Sequence, residues 1–260
     1  MRPYRQLDCR GRLFLVWQAE EIDFVTRALD IYGGRDPVEL PAYSIPEVAG
    51  LIRVPQATVR SWALGRRYPT VDDRRKLFEP VIRIADAASR WLSFRNLVEF
   101  HVLSAIRRDH GVRLGEVRKA VDYLRRRLKS RHPLADEQMQ TDGTNLFVER
   151  YGELVDASDQ GQMAMKVCLS SYLDRIERDA RGAAIRLYPF TTSREEPDRR
   201  TVVIDPRVQF GRPCLSGTGM PTAVIAERFL AGDSPQEIAQ DIGLSTDAIE
   251  EAIRYESRAA

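Results

Sequence analysis

The run from Tyr43 to Trp62, Tyr-Ser-Ile-Pro-Glu-Val-Ala-Gly-Leu-Ile-Arg-Val-Pro-Gln-Ala-Thr-Val-Arg-Ser-Trp, leaves the backbone few choices. Ser44 suits a helix N-cap, and Pro46 suits the first turn, where a missing N–H costs nothing. Val48, Ala49 and Ile52 then recur at the spacing of one helix face. The helix cannot run through Arg53-Val54-Pro55, because the residue before a proline is pushed out of the α region. A second helix from Gln56 to about Leu64 carries Val59 and Trp62 inward and leaves Gln56, Thr58, Arg60 and Ser61 outward. Two short helices about a tight turn make a helix-turn-helix, whose second helix enters the DNA major groove. A basic turn, Gly65-Arg66-Arg67-Tyr68-Pro69, follows it and is placed to meet phosphates. A plain helical hairpin is the alternative, and the charge around the motif decides between the two.

The chain of 260 residues carries a net charge of only +2, but the charge is unevenly spread. Residues 44–131 hold 20 Lys/Arg against 9 Asp/Glu, whereas residues 205–260 hold 5 against 9. A basic segment that coincides with a helix-turn-helix is the electrostatic footprint of nucleic-acid contact. With 43% hydrophobic residues there is enough apolar matter for one large domain or two to three small ones. No apolar run reaches the roughly 20 residues of a membrane span, and the start lacks the pattern of a signal peptide. Cys9, Cys168 and Cys214 are odd in number and far apart, offering neither a disulfide framework nor zinc spacing. A cytoplasmic protein without a cofactor is the expectation.

Along the chain, residues 1–42 read as an arm with a strand at Leu13–Trp17 and a short helix at Ala19–Ile31. After the motif, Leu77–Ile84 reads as a strand pair or wing element. Helices follow from about Ser93 to Asp109 and from Leu114 through Lys129, the latter with Leu114, Val117, Val121, Leu124 and Leu128 on its inner face. Three stretches match a known pattern: Tyr43-Ser44-Ile45-x-Glu47-Val48-Ala49, Thr58-Val59-Arg60-x-Trp62 and Gly111-Val112-x-Leu114-x-Glu116-Val117. Through them, residues 43–131 resemble the winged helix-turn-helix of MerR-type regulators. The resemblance implies that the helix from Gln56 reads bases, that the basic turn clamps the backbone, and that dimers bind a palindromic site. It stops there: no long heptad helix and no cysteine cluster follow.

The middle region, 132–191, reads as mixed. Glu137–Thr141, Asn145–Arg150 and Glu153–Val155 look like short strands separated by turns at Asp142-Gly143 and Tyr151-Gly152, since Asp-Gly is a hairpin signal. Gln162–Asp179 reads as helix and Ile185–Phe190 as an edge strand, and polar residues 192–200 read as a linker. In residues 201–260 a strand and glycine-punctuated hairpin precede three helices, Thr222–Leu230, Ser234–Asp241 and Ser245–Tyr255, with a capping box at Ser234 and Glu237. Asp205-Pro206, Gly211-Arg212-Pro213, Gly217-Thr218, Pro221, Gly232-x-Ser234-x-x-Glu237-Ile238 and Ala252-Ile253-x-Tyr255 carry a second resemblance. It is to a short bacterial domain of unknown function found in VapB-type antitoxins encoded beside PIN-like nuclease toxins; Gly219 stands where that family usually has arginine. The combination implies an antitoxin that binds a PIN-like nuclease toxin and its own operator DNA, as a homodimer or a higher hetero-oligomer with the toxin.

The last two helices also have helix-turn-helix form, but their second helix offers Thr246, Asp247, Glu250 and Glu251, which phosphates would repel. That face reads as a protein contact. Enzyme chemistry finds no support: the Gly211–Gly219 loop lacks the Lys-Ser/Thr of a P-loop, and His101, His110 and His132 have no ligand spacing. The expected architecture is therefore mainly α with small β elements (α+β): a winged helix-turn-helix, a mixed middle and a C-terminal hairpin with three helices. Base readout is expected from Gln56, Thr58, Arg60 and Ser61, and backbone contact from Arg66, Arg67 and Arg53. A MerR-like regulator with a small-molecule pocket near Glu137–Phe190 is the alternative.

Overall fold

The computed structural model describes residues 4–7, 13–16, 32–69, 75–110, 114–155, 158–190 and 200–257. Residues Met1–Pro37 and Val38–Ala260 form two compact units. In the first unit β1 (Tyr4–Leu7) pairs antiparallel with β2 (Leu13–Val16), placing the expected strand at Leu13. The helix expected at Ala19–Ile31 lies outside the described residues.

The second unit begins with the two helices of the opening motif, α1 (Ile45–Ile52) and α2 (Gln56–Leu64). Ser44 and Glu47 form a reciprocal capping box, each satisfying a main-chain N–H that the helix start leaves open. Arg53 ends α1 in the left-handed region (φ 55°), a conformation that is unusual for a residue with a Cβ. Its N–H returns to the Ala49 and Gly50 carbonyls, and Pro55 then starts α2.

The basic stretch after α2 is not a turn. It is β3 (Arg66–Pro69), paired antiparallel with β4 (Arg75–Phe78) so that Arg66 faces Phe78 and Pro69 faces Arg75. Gly65 makes this possible: at φ 74° it sits against the Phe78 carbonyl, where a Cβ would collide. The wing thus starts eleven residues before Leu77, and Val81, Ile82 and Ile84 are buried irregular chain rather than strand.

α3 (Phe94–His110) and α4 (Leu114–Arg127) form as their periodicity requires. The middle region corrects the strand reading. Glu137–Met139 is one 3-10 turn, and Asp142–Val155 is a single helix, α5. The turn signals at Asp142-Gly143 and Tyr151-Gly152 suggested strands, but Phe147, Val148 and Tyr151 are buried at helical spacing. Neither glycine makes a turn: a Cβ at Gly143 would stand 2.8 Å from the Gln138 carbonyl oxygen, and one at Gly152 would stand 2.7 Å from the Gln162 side chain. They are the points where α5 is approached closely. α6 (Asp159–Leu173) ends earlier than expected, and Ile176–Arg178 forms β5, paired with β6 (Ala184–Leu187).

One continuous core runs from Val38 to Ile204, so the helix-turn-helix and the middle region share their apolar interior. At its centre lies a buried polar set. The Asn96 side chain accepts from the Ala85 N–H (2.8 Å) and donates to the Arg83 carbonyl (2.9 Å) and to Glu99 (3.3 Å), while His132 Nδ1 lies 2.8 Å from Glu99 Oε2. These bonds tie the chain beyond the wing to α3 and to the segment after α4. The C-terminal part comprises β7 (Val202–Val203) with β8 (Cys214–Leu215), then α7 (Thr222–Leu230), α8 (Pro235–Ile242) and α9 (Thr246–Ser257), with a separate small core around Ile225, Ile238 and Ile249.

Contacts from the residues flanking α1 reach this part. The Tyr43 hydroxyl donates to the Gly211 carbonyl at 3.2 Å, and the Arg53 guanidinium lies 5.2 Å from the Tyr255 ring centre. Gly211 (φ 77°) has no room for a Cβ beneath that hydroxyl. Gly211→Ala is expected to cost about 1–3 kcal/mol from backbone strain plus the clash. Tyr43→Phe should lose only the ~1 kcal/mol of one hydrogen bond, both read in urea unfolding. Burial raises the Glu99 carboxyl pKa above its usual 4.5, against the lowering pull of His132 and Asn96. A carboxyl with a raised folded pKa adds stability that is full below the unfolded value and is lost as pH rises through the folded one. Wild-type stability relative to Glu99→Gln should therefore fall as pH climbs above 4.5. His132→Ala, which leaves a buried Glu99 oxygen without this hydrogen-bond partner, should cost about 1–3 kcal/mol.

Candidate nucleic-acid interface

Trp62 fixes the second helix of the motif. It is fully buried and stacks on Phe100 of α3 at 6.1 Å between ring centres. Its carbonyl accepts from the N–H groups of Val81 (2.9 Å) and Ile82 (3.3 Å), so the chain leaving the wing is stitched to the same residue. With Val59 also fully buried, the opposite face of α2 is left to solvent. Gln56 and Arg60 are exposed one turn apart, and Thr58 and Ser61 are half-buried beside them. At 1.5 Å rise per residue, Gln56 and Arg60 stand about 6 Å apart along the axis, close to two base-pair steps. α2 has no acidic residue in its first turn and no side-chain cap at Pro55, so its positive end is not neutralised locally.

The hairpin beside α2 carries Arg66, Arg67, Arg75 and Lys76 in its two strands. Arg66 is exposed, while the side chains of Arg67, Arg75 and Lys76 lie outside the described residues. Arg118 of α4 braces the hairpin base, with its guanidinium 4.7 Å from the Phe78 ring centre and a 3.4 Å bond from Nη1 to the Glu79 carbonyl. Two other cations of α4 are already engaged, Lys119 with Glu116 and Arg125 with Asp122 and the Val81 carbonyl, while Arg126 and Arg127 are exposed.

The structure therefore brings Gln56, Thr58, Arg60 and Ser61 onto one helix, with Arg66 at the start of the strand that follows it. Arg53 is turned instead toward the Tyr255 ring of α9, where its half-buried guanidinium packs rather than projects. Sequence reading missed that Arg75 and Lys76 share the hairpin with Arg66 and Arg67. No alternation marks either strand, so the pairing of Arg66–Pro69 with Arg75–Phe78 had no local signal.

The second helix pair, α8 and α9, has the same outline but the opposite surface. Ser234 and Glu237 form a capping box, and Gly243 makes the left-handed turn. Asp247 and Glu250 are exposed as expected, whereas Glu251 is not: it is fully buried and paired with Arg254. Spacing alone had placed it outward; its position one turn before the buried Tyr255 puts it on the inner face.

Two short helices about a left-handed turn, a polar outer face on the second and a cationic hairpin next to it make the first half a helix-turn-helix unit. Comparison with known proteins agrees. Residues 41–121 match the family described as "Putative DNA-binding HTH domain", and residues 202–255 match a family described as a protein of unknown function (DUF433). Over 234 residues the chain is 28% identical to "Putative antitoxin VapB45" of Mycobacterium tuberculosis, covering 83% of this chain and 93% of that one. It is 27% identical over 221 residues to "Uncharacterized protein Rv2308" of the same organism, covering 82% and 89%. The crystal structure of Rv2018 from M. tuberculosis has the same fold with a TM-score of 0.60 at 23% identity, covering 83% of this chain and 98% of that one.

Arg118→Ala removes the brace without touching α2. It is expected to weaken binding to any duplex by about 2–5-fold, the loss of a ~0.5–1 kcal/mol cation–π contact that orders the hairpin, with little change in Tm. Fluorescence anisotropy with two unrelated duplexes checks that the loss is uniform.

Proposed function

We propose that this chain is the antitoxin of a toxin–antitoxin pair. Its helix-turn-helix binds operator DNA and represses the operon, and its C-terminal helices bind and neutralise a PIN-like ribonuclease toxin in the cytoplasm. The observation that carries this reading is the division of one chain between two helix pairs of like shape and opposite surface. One bears Gln56, Arg60 and a cationic hairpin, and the other bears exposed carboxylates that exclude a phosphate backbone. The likeness to a relative named as an antitoxin over 83% of the chain supports the same assignment. The chain itself is assigned no catalysis; the ribonuclease supplies the chemistry. Gln56, Thr58, Arg60 and Ser61 are the base-reading residues, as in MerR-type winged domains, and Arg66 and Arg67 hold the phosphates. A homodimer on a two-fold operator is the expected bound form.

A second reading is favoured by one feature. A cavity of about 370 Å³ opens beneath the Ser216–Gly219 loop, lined by Arg186, Tyr188, Asp205 and Cys214. Were it a small-molecule site, the chain would be a ligand-responsive regulator without a toxin.

The test is co-expression of the full chain with the product of its neighbouring gene, and gel shift on the promoter fragment upstream of the pair. Co-purification and suppression of RNA cleavage are expected, together with specific binding to the fragment. Arg60→Ala should cost about 1–3 kcal/mol at one base pair, and Arg66→Ala should weaken all sequences alike and lower the salt slope by about one. No association with the neighbour, with DNA affinity that instead depends on a metabolite, would establish the regulator reading.

A further inference from the structure

Past the wing, the chain gathers a second set of cations that the helix-turn-helix does not use. Residues 123–135 hold five Lys/Arg and no Asp/Glu. Of the five, Arg125 is taken up by Asp122 and the Val81 carbonyl. Arg126, Arg127, Lys129 and Arg131 are exposed and enter no ion pair among the described residues. Lys129 stands two residues past the end of α4 in the left-handed region (φ 51°), where glycine is the usual residue and a side chain is strained. A charge is kept there at the expense of backbone comfort.

The buried polar set brings one more cation to the same place. Asn96 Nδ2 donates to the Arg83 carbonyl (2.9 Å) and to Glu99 Oε2 (3.3 Å), and that oxygen lies 2.8 Å from His132 Nδ1. The main chain of Arg83, whose side chain is exposed, is thereby held near His132, the neighbour of Arg131. Arg118 and Arg125 in turn hold α4 against the exit of the wing, at the Glu79 and Val81 carbonyls. From Arg118 to Arg126 the helix advances about 12 Å, equal to the axial rise of about three to four base pairs.

Charge and composition decide what this surface fits. A helix C-terminus attracts cations, but the effect ends with the last turn, and Arg83, Lys129 and Arg131 lie outside α4. A protein contact has a centre poor in charge and rich in large apolar side chains. None of the exposed large apolar side chains among the described residues falls within 123–135. Unpaired cations without an apolar centre fit a phosphate backbone.

We propose that Arg83, Arg126, Lys129 and Arg131 form a second phosphate-binding strip, which holds duplex DNA beyond the segment met by α2 and the wing. This rests on the DNA-binding reading of the first helix pair and extends it. Three of the four residues lie past the stretch 41–121 that matches the helix-turn-helix family. Phosphate contacts carry no base preference, so the strip lengthens the footprint and fixes the orientation of the duplex without adding sequence specificity. Its mounting on α4 and the buried polar set orders these positions before DNA arrives.

The experiment uses the full chain, the promoter fragment upstream of the gene pair and an unrelated duplex of equal length. Arg126→Gln combined with Arg131→Gln, and Arg83→Gln alone, change only exposed side chains, so Tm should stay at the wild-type value. The slope of log K against log salt should fall by about two in the double variant and about one in Arg83→Gln. At about 0.15 M salt these are losses of about 30-fold and about 5-fold in affinity, equal for both duplexes. The hydroxyl-radical footprint on the promoter should lose its outer edge and keep its centre. Arg126→Lys combined with Arg131→Lys keeps the charge and should keep both slope and footprint, which a merely structural role for arginine would not. Unchanged slope and footprint in the glutamine variants overturn the strip and leave the helix-turn-helix reading intact. A loss confined to the promoter makes these residues base readers and overturns the strip as well. Intact DNA binding with loss of the co-purifying neighbour makes a protein the occupant, with the same consequence. Absence of DNA binding by the wild-type chain overturns both the strip and the reading beneath it.

Discussion

Everything the first helix pair can do depends on the burial of Trp62. A fully enclosed indole stacked on Phe100 anchors α2 to α3, and removing such a side chain from a core costs about 3–5 kcal/mol. Because the Trp62 carbonyl also holds Val81 and Ile82, helix and wing share one fixed point. The outward residues are thereby set in orientation before any DNA arrives, and the entropy of ordering them is met by folding rather than by binding. The buried Asn96, Glu99 and His132 set then holds Arg83 and Ala85 against α3, so the return path from the wing is fixed at two places.

The shared core gives this arrangement a consequence for the whole chain. α3 contacts Trp62 on one side and, through the His101 ring, Tyr172 and Phe190 on another; His101 Nε2 lies 3.1 Å from the Tyr172 carbonyl. A helix that serves both as the backing of a DNA motif and as the spine of the middle region cannot shift for one without the other. The middle region is thus part of the scaffold of the helix-turn-helix, and Tyr43 and Arg53 attach the C-terminal part at the two ends of α1.

Local chemistry was legible wherever it alone decides structure. Ser44, Pro46, Pro55 and the Ser234–Glu237 pair gave helix limits that the structure repeats to within a residue. What stayed hidden depends on distant partners. Asp142-Gly143 carries a hairpin signal, yet it opens a helix because Gly143 lies against the Gln138 carbonyl and Phe147 and Tyr151 find the core. Arg53 read as one more cation of the motif, and only the packing of α9 shows that it faces Tyr255. Glu251 read as surface, and its ion pair with Arg254 helps to make a buried carboxylate tolerable there. For the proposed site, the helix and its outward face could be read from periodicity, but the hairpin partner strand could not, because β4 is joined to β3 across residues whose pairing no local rule sets.

The two helix pairs make the role of electrostatics plain. Their shapes are alike to the level of capping boxes on their first helices, so shape alone cannot tell a DNA contact from a protein contact. Charge can, because a phosphate backbone imposes a sign and a protein surface does not. The first pair keeps its carboxylate, Glu47, locked in a cap and leaves Arg60 outward. The second holds its Arg254 in ion pairs, with Arg228 of the preceding α7 bound to Asp233 and Asp241, and leaves carboxylates outward. Surface ion pairs of this kind add little stability. Their effect is to remove positive charge from a face, and that effect matters only to something that approaches the face from outside.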